Sequence, residues 1–238
     1  MTVRPTTITA IALGALVALP SSANAIPRVQ VDRDCYLDTV IKKKRVATPV
    51  TLSGNGFTPG AQFQVSLDGQ PLPNGTGTMD AFGALSGKFT ATPLATLNSR
   101  QRKWKVRVDE GANSASTSFY TSDIFADFSP SSGNPAKLKV RWSVNGFKLS
   151  RPAGAKSPYV YLHYIRPNGK RKRTYRLGRA TGACGAIKRT KKRRLFPFRA
   201  ERGLWKLQVD TNRKFRRGTS KSTFTYYTVG VRIRTARK

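Results

Sequence analysis

Histidine is almost missing from this chain, and acid and sulfur are scarce. His163 is the only histidine in 238 residues, Cys35 and Cys184 are the only cysteines, and 11 Asp and Glu stand against 44 Lys and Arg. Each shortage excludes a chemistry. A serine or cysteine hydrolase needs a base beside its nucleophile. His163 lies in an aromatic run, between Leu162 and Tyr164, with no nucleophile motif around it, so it reads as strand-packed or solvent-facing. One histidine and two distant cysteines make no four-ligand zinc set. A carboxylate pair for glycoside hydrolysis would have to be drawn from the few acids. Of these, Asp109 and Asp210 follow two tryptophan strands at equivalent places and read as strand-end turn residues. Gly178 to Gly185 has neither the lysine nor the spacing of a phosphate loop. No catalytic site, metal site or cofactor is expected.

Long apolar runs are missing as well, except at the start. Ile8 to Leu19 is apolar, Arg4 precedes it, and Ala23-Asn24-Ala25 has the small-x-small form of a peptidase site. Residues 1–25 are therefore predicted to be a cleaved signal peptide. The run is too short to span a bilayer, and Pro20 follows it. No cysteine follows Ala25 directly and no apolar tail ends the chain. Neither a lipid anchor nor covalent wall sorting is expected. The mature chain, without a transmembrane segment, is expected to be secreted or held non-covalently at the cell envelope. In an oxidising compartment, Cys35 and Cys184 permit one bridge; two isolated thiols are the alternative.

What the chain does have is alternation and repetition. Apolar and polar residues alternate with period two through most segments, and helical periodicity is nearly absent. Strands are predicted at 28–32, 50–57, 63–67, 89–92, around Trp104, at 138–144, 159–165, 174–177, 195–198, 204–209 and 224–233, with 70–80 as a loop. Pro197 points the 195–198 segment to a sheet edge. Asn168-Gly169 is a hairpin turn. Ser53-x-Asn55-Gly56-Phe57 recurs as Ser143-x-Asn145-Gly146-Phe147. Trp104-Lys105-x-x-Val108-Asp109 recurs as Trp205-Lys206-x-x-Val209-Asp210. Landmarks in the same order imply two copies of one scaffold of about 100 residues, with about seven strands each. The copies are 26–121 and 122–238, with the boundary near 121–135, where Ser-Pro-Ser-Ser-Gly-Asn-Pro interrupts the pattern.

Gly54-Asn55-Gly56-Phe57-Thr58-Pro59-Gly60 resembles the G-x-G-F-x-P-G segment of bacterial secreted Ig-like and TIG-like domains. The resemblance covers residues 27–121. It implies an all-β fold of two tandem Ig-like β-sandwiches, with glycines allowing a tight bend and Phe57 plugging the sandwich end. The second copy, Val144-Asn145-Gly146-Phe147-Lys148-Leu149, lacks the first glycine and the Pro-Gly, so it is a divergent relative. Such scaffolds serve as spacers, adhesins and enzyme appendages, and the motif names no activity.

The charge is lopsided. Residues 26–120 hold 12 Lys and Arg against 7 acids, while residues 121–238 hold 31 against 4. The basic runs are Lys42, Lys43, Lys44 and Arg45; Lys170 to Arg173; Lys188, Arg189, Lys191, Lys192, Arg193 and Arg194; and Arg213, Lys214, Arg216 and Arg217. Like charges repel within a compact domain, so a polyanion that neutralises them should bind. The bland alternative is a solvated surface with no dedicated ligand. Placed on an Ig-like topology, Lys148, Arg151, Lys156, the 188–194 run and the 213–217 run meet residues 42–45 in a basic crease at the junction. Lys170 to Arg173 are left at the far end. Tyr159, Tyr161, Tyr175, Phe196, Phe198 and Tyr226 are expected to pack the core.

The expected function is non-catalytic. The chain should associate electrostatically with an anionic envelope component, such as a wall polymer, lipid surface or acidic polysaccharide. The alternatives are an adhesion or protein-interaction module, an extracellular nucleic-acid binder, and, below these, an enzyme with an unrecognised site.

Overall fold

Alternation turns directly into ladders in the computed structural model, which describes residues 26–41, 44–91 and 100–234. The predicted signal peptide, Lys42 and Lys43 lie outside the described residues. Nine strands come from the first copy: β1 (Arg28–Val31), β2 (Cys35–Ile41), β3 (Lys44–Ala47), β4 (Val50–Asn55), β5 (Gln62–Leu67), β6 (Gln70–Thr78), β7 (Leu85–Phe89), β8 (Gln101–Glu110) and β9 (Asn113–Ser122). A three-stranded sheet, β1-β4-β7, packs on a six-stranded sheet, β3-β2-β9-β8-β5-β6. Strand β2 runs parallel to β9, with Cys35 opposite Tyr120. Val31, Val50 and Leu52 of the smaller sheet meet Tyr36, Trp104, Val106, Val108 and Phe119 of the larger in one core. Among the described residues no helix is long and apolar enough to cross a membrane.

The second copy supplies β10 (Phe125–Ser129), β11 (Lys139–Asn145), β12 (Tyr159–Ile165), β13 (Arg171–Arg179), β14 (Arg193–Arg194), β15 (Gly203–Asp210) and β16 (Tyr226–Ile233). Sheets β10-β11-β14 and β13-β12-β15-β16 enclose the second core. Its centre is aromatic: Trp205 contacts Phe196 at 5.4 Å and Phe198 at 5.5 Å between ring centres, and Tyr164 contacts Phe198 at 5.1 Å. An aromatic of this class removes roughly 150–250 Å² from water, about 4–6 kcal/mol at 25 cal/mol per Å². That explains why β12 and β15, which carry Tyr164 and Trp205, are the central strands.

The repeated landmarks are architectural. Gly56 and Gly146 both sit in the left-handed region, at φ 78° and 86°, which glycine adopts without steric cost. The bend they make drops Phe57 and Phe147 into their respective cores. The two tryptophans are buried alike but satisfied differently. Trp104 Nε1 donates to Thr121 Oγ1 at 2.8 Å, and Trp205 Nε1 to the Glu201 carbonyl at 3.0 Å.

Several expectations are corrected. Residues 70–78 form β6 and not a loop. Pro71 and Pro73 are tolerated there because β6 is an edge strand and pairs only with β5. Gly77 is required because a Cβ would stand 2.7 Å from the Phe63 ring lying over it. Residues 195–198 are not a strand. The ladder with β11 ends at Arg194, and Leu195 and Phe196 turn inward to fill the core. Strand β7 lies earlier than the predicted 89–92, and Thr92 is outside the described residues. The last strand opens at Tyr226, not at residue 224. The first copy has nine described strands where seven were expected, because the β2–β3 hairpin and β6 extend one sheet.

The two copies are tied together. Cys35 and Cys184 form a disulfide, buried with Leu149 beneath Leu37, Tyr120 and Ile124. Asp34 Oδ2 accepts from Lys148 Nζ at 2.9 Å and from the Gly154 amide at 3.1 Å. The Asp32 carbonyl accepts from the Ala153 amide at 2.9 Å. Asn145 Nδ2 donates to Ser122 Oγ and to the Asp123 carbonyl.

Candidate anion-binding surface

The basic runs do not converge on the junction. Lys148 enters it, but its buried ammonium is committed to Asp34. Arg45 is committed as well: its guanidinium forks onto Asp38 at 2.9 and 3.2 Å and reaches the Ala91 carbonyl. Lys44 is exposed beside it. Residues 187–194 are strapped along β11. Ser143 Oγ donates to the Lys188 carbonyl at 2.7 Å, the Thr190 amide to the Trp142 carbonyl at 2.9 Å, and Val140 lies opposite Arg193. Since the Asn145 end of β11 touches the first copy, Arg193 and Arg194 stand about 20 Å away along the strand at roughly 3.4 Å per residue.

Residues 211–218 leave the junction altogether. They fold back over the solvent face of β12 and β15, and Arg217 Nη2 donates to the Gly169 carbonyl at 3.2 Å, in the hairpin turn beyond β12. The basic crease is therefore replaced by two surfaces on the second sandwich, with Arg176 lining both. The reason is a buried polar network that the sequence pattern does not reveal.

The network starts at His163 and Asp210, both fully buried. His163 Nε2 faces Asp210 Oδ1 at 3.2 Å and the Asn212 carbonyl at 3.0 Å, and Nδ1 faces Thr174 Oγ1 at 2.8 Å. Asp210 Oδ1 also accepts from the Asn212 amide at 2.7 Å. Gln208 Nε2 donates to the Arg216 carbonyl at 2.7 Å, and Gln208 Oε1 accepts from the Gly218 amide at 2.9 Å. Phe215 rests on the His163 ring, 5.4 Å between centres. His163 is thus strand-packed, the first of the two placements its sequence context left open. Asp210 does serve a turn, but as a buried acceptor, whereas its counterpart Asp109 is half-buried and pairs with Arg107 at 2.6 Å.

Two basic surfaces result. One is the mouth between the sheets, a cavity of about 340 Å³ where Lys191, Arg193, Arg194 and Arg176 rim Trp142, Tyr164 and Tyr175. The other is the solvent face of β12 and β13, where Tyr161, Arg171, Thr174, Arg176 and Arg213 line a pocket of about 450 Å³. Above it Tyr159 is 40 % exposed, with Arg176 and Arg179 over its ring at 4.9 and 5.1 Å. Tyr159, Tyr161 and Tyr226 therefore do not pack the core as expected, while Tyr175 and Phe198 pack against it and Phe196 lies within it. Lys188, Arg189, Lys192, Lys214 and Arg216 are exposed around these surfaces.

Almost no acid offsets this charge. Asp123 and Asp127 face Arg100 of the first copy at 3.9 and 3.2 Å, and Asp210 is buried under His163. Burial raises the Asp123 carboxyl above its ordinary range, against the pull of Arg100. Among the described residues, Lys148 is the one lysine or arginine of 123–234 that is ion-paired to a carboxylate.

Arg176 and Arg179 lie outside the basic runs of the sequence, and Arg171 was expected only within the far-end run of 170–173, because simple alternation sends Arg171 and Arg176 to opposite faces of β13. Two register shifts, between Val160 and Tyr161 and between Tyr164 and Ile165, put Arg171, Thr174, Arg176 and Arg179 opposite Ile165, His163, Tyr161 and Tyr159. Bulges of this kind re-aim side chains. The Arg-x-Arg-x-x-Arg-x-x-Arg spacing of 171–179 was the one available signal.

No family model matches the chain, and no curated protein matches it. Similar solved structures include a tetra-tandem repeat in the extending region of a large adhesion protein. It is 16% identical with a TM-score of 0.26, over 87% of this chain and 49% of that one. The chain thus spans about half the length of that structure. The Pseudomonas aeruginosa CupB2 chaperone is 14% identical with a TM-score of 0.27, over 86% and 99%. Red sea bream transglutaminase is 10% identical with a TM-score of 0.27, over 87% and 31%. Likenesses this distant carry no statement about activity.

Proposed function

We propose that this chain is an exported, non-catalytic binding protein that associates electrostatically with an anionic polymer or lipid surface of the cell envelope. The observation that carries the reading is the unneutralised row of arginines on the second sandwich, with Arg171, Arg176, Arg179 and Arg213 on one face and Arg193 and Arg194 at the intersheet mouth. Guanidinium forks match phosphate and carboxylate oxygens, and release of counterions from the polymer drives such binding. Export is supported by the apolar run at Ile8 to Leu19 and by a disulfide suited to an oxidising compartment.

The test is retention on purified envelope as salt is raised. Retention should fall steeply between low and moderate salt, and Lys/Arg→Gln changes across 188–194 should shallow that dependence. Retention indifferent to salt would overturn the electrostatic reading. A second reading, extracellular single-stranded nucleic-acid binding, is favoured by one observation: exposed Tyr159 flanked by two guanidiniums is a stacking platform. A preference for single-stranded DNA over envelope polymer that Tyr159→Ala abolishes would favour it.

A further inference from the structure

We propose that the pocket of Tyr161, Arg171, Thr174, Arg176 and Arg213 is a discrete binding site for a phosphate group. The inference rests on the polyanion reading and deepens it, by distinguishing one built site from a general positive field.

The pocket is organised from beneath. His163 Nε2 faces two oxygens, Asp210 Oδ1 and the Asn212 carbonyl. A carbonyl only accepts, so Nε2 carries the proton, and in the neutral ring Nδ1 accepts from the Thr174 hydroxyl. That fixes the hydroxyl rotor and leaves Thr174 Oγ1 to accept from Arg171 Nη1 at 3.2 Å. A buried His–Asp pair thereby orients a side chain on the pocket wall, and through it an arginine.

The opposite wall is held as firmly. Arg213 lies between two pins: Asn212, bonded through its amide and carbonyl to Asp210 and His163, and Arg216, whose carbonyl is held by Gln208. Phe215 between them is seated on the His163 ring. A long cationic side chain whose backbone is fastened this way loses less freedom on binding than one on a free loop.

The donor set suits phosphate. Three arginines, two from β13 and one from the returning loop, line the pocket together with Tyr161. Donors from several directions match a tetrahedral oxyanion better than a planar carboxylate. Among the described residues, none of the three arginines is ion-paired to a carboxylate. The volume of about 450 Å³ admits a phosphate with part of its ester. The shared chemistry is a phosphate ester, whether from a soluble polymer or a lipid headgroup.

The experiment titrates the disulfide-intact chain with inorganic phosphate by calorimetry, and with sodium acetate at equal ionic strength. Three proteins are compared: the parent, Arg171→Gln/Arg213→Gln, and the charge-matched Arg202→Gln/Arg232→Gln, each checked for fold by circular dichroism. The expected result is saturable one-to-one phosphate binding, no acetate binding, at least tenfold weakening in the first variant and less than twofold in the second. Equal weakening in both variants, equal acetate binding, or no saturable phosphate binding would overturn the site. Envelope retention in the same proteins separates the two claims. Retention without phosphate binding sinks the pocket alone; phosphate binding without retention sinks the envelope reading alone. Glycerol phosphate and phosphatidylglycerol vesicles, titrated in parallel, tell a soluble source from a membrane one.

Discussion

Lys148 Nζ lies 2.9 Å from Asp34 Oδ2, joining a nearly buried ammonium of the second sandwich to a carboxylate one residue before the Cys35 end of the disulfide. The pair and the bridge act on the same seam. The acid is one-third exposed and the lysine 9 % exposed, so the lysine depends on the acid more than the reverse.

Asp34→Asn should destabilise the protein by about 1–3 kcal/mol, because it leaves a buried charge without its counterion. Lys148→Met in the same background should recover most of the loss. Guanidinium unfolding of the four proteins of the double-mutant cycle measures both effects.

Reduction should cost much more. The bridge closes a loop of 149 residues in separation, which in the chain-entropy account is worth about 5 kcal/mol. Cys35→Ser/Cys184→Ser should lower the unfolding midpoint. It should also let the two sandwiches unfold in separate transitions, visible when Trp104 and Trp205 are followed in single-tryptophan backgrounds.

Glu110 predicts a pH effect. Its Oε2 accepts from the Thr58 amide at 2.9 Å, and bonds from Thr58 hold its carboxyl below the ordinary value. A depressed acid contributes stability that is full above the unfolded pKa of about 4.3 and is lost as pH falls through the folded value. Glu110→Gln should therefore be less stable than the parent at neutral pH, and the gap should close below pH about 4. Melting temperatures across pH 3–7 check it.

Gln208→Leu should free the returning loop. It removes the partners of the Arg216 carbonyl and the Gly218 amide. Hydrogen exchange at Gly218 should accelerate by at least tenfold while amides in β12 stay protected. Unchanged exchange at Gly218 would show that the Phe215 contact alone holds the loop.

Much of the β-structure was legible because a strand's pleat is written locally. Trp104, Val106 and Val108 alternate with Lys103, Lys105 and Arg107, and the former set is buried. Strand β6 was not legible, since an edge strand with Pro71 and Pro73 buries little and shows no apolar period. The cysteine pairing was one of two open outcomes until Cys35 and Cys184 were found bonded at a Cα separation of 5.0 Å.

The chain's composition settled its excess of positive charge, and its alternation and turn residues settled the all-β architecture, because both follow from residue identity and nearest neighbours. Which arginines share a surface was decided only by folding. Arg171 and Arg176 reach one face through the register shift between Tyr164 and Ile165, and Arg179 through the one between Val160 and Tyr161; Arg213 joins them because Gln208, Asp210 and His163 draw its loop back over the sheet. The His163–Asn212 contact that anchors the loop spans 49 positions, and the ladder partners of β12 and β13 come together across a hairpin. A period-two pattern carries no record of them, because ladder register and loop return are set by packing and buried hydrogen bonds rather than by the local sequence.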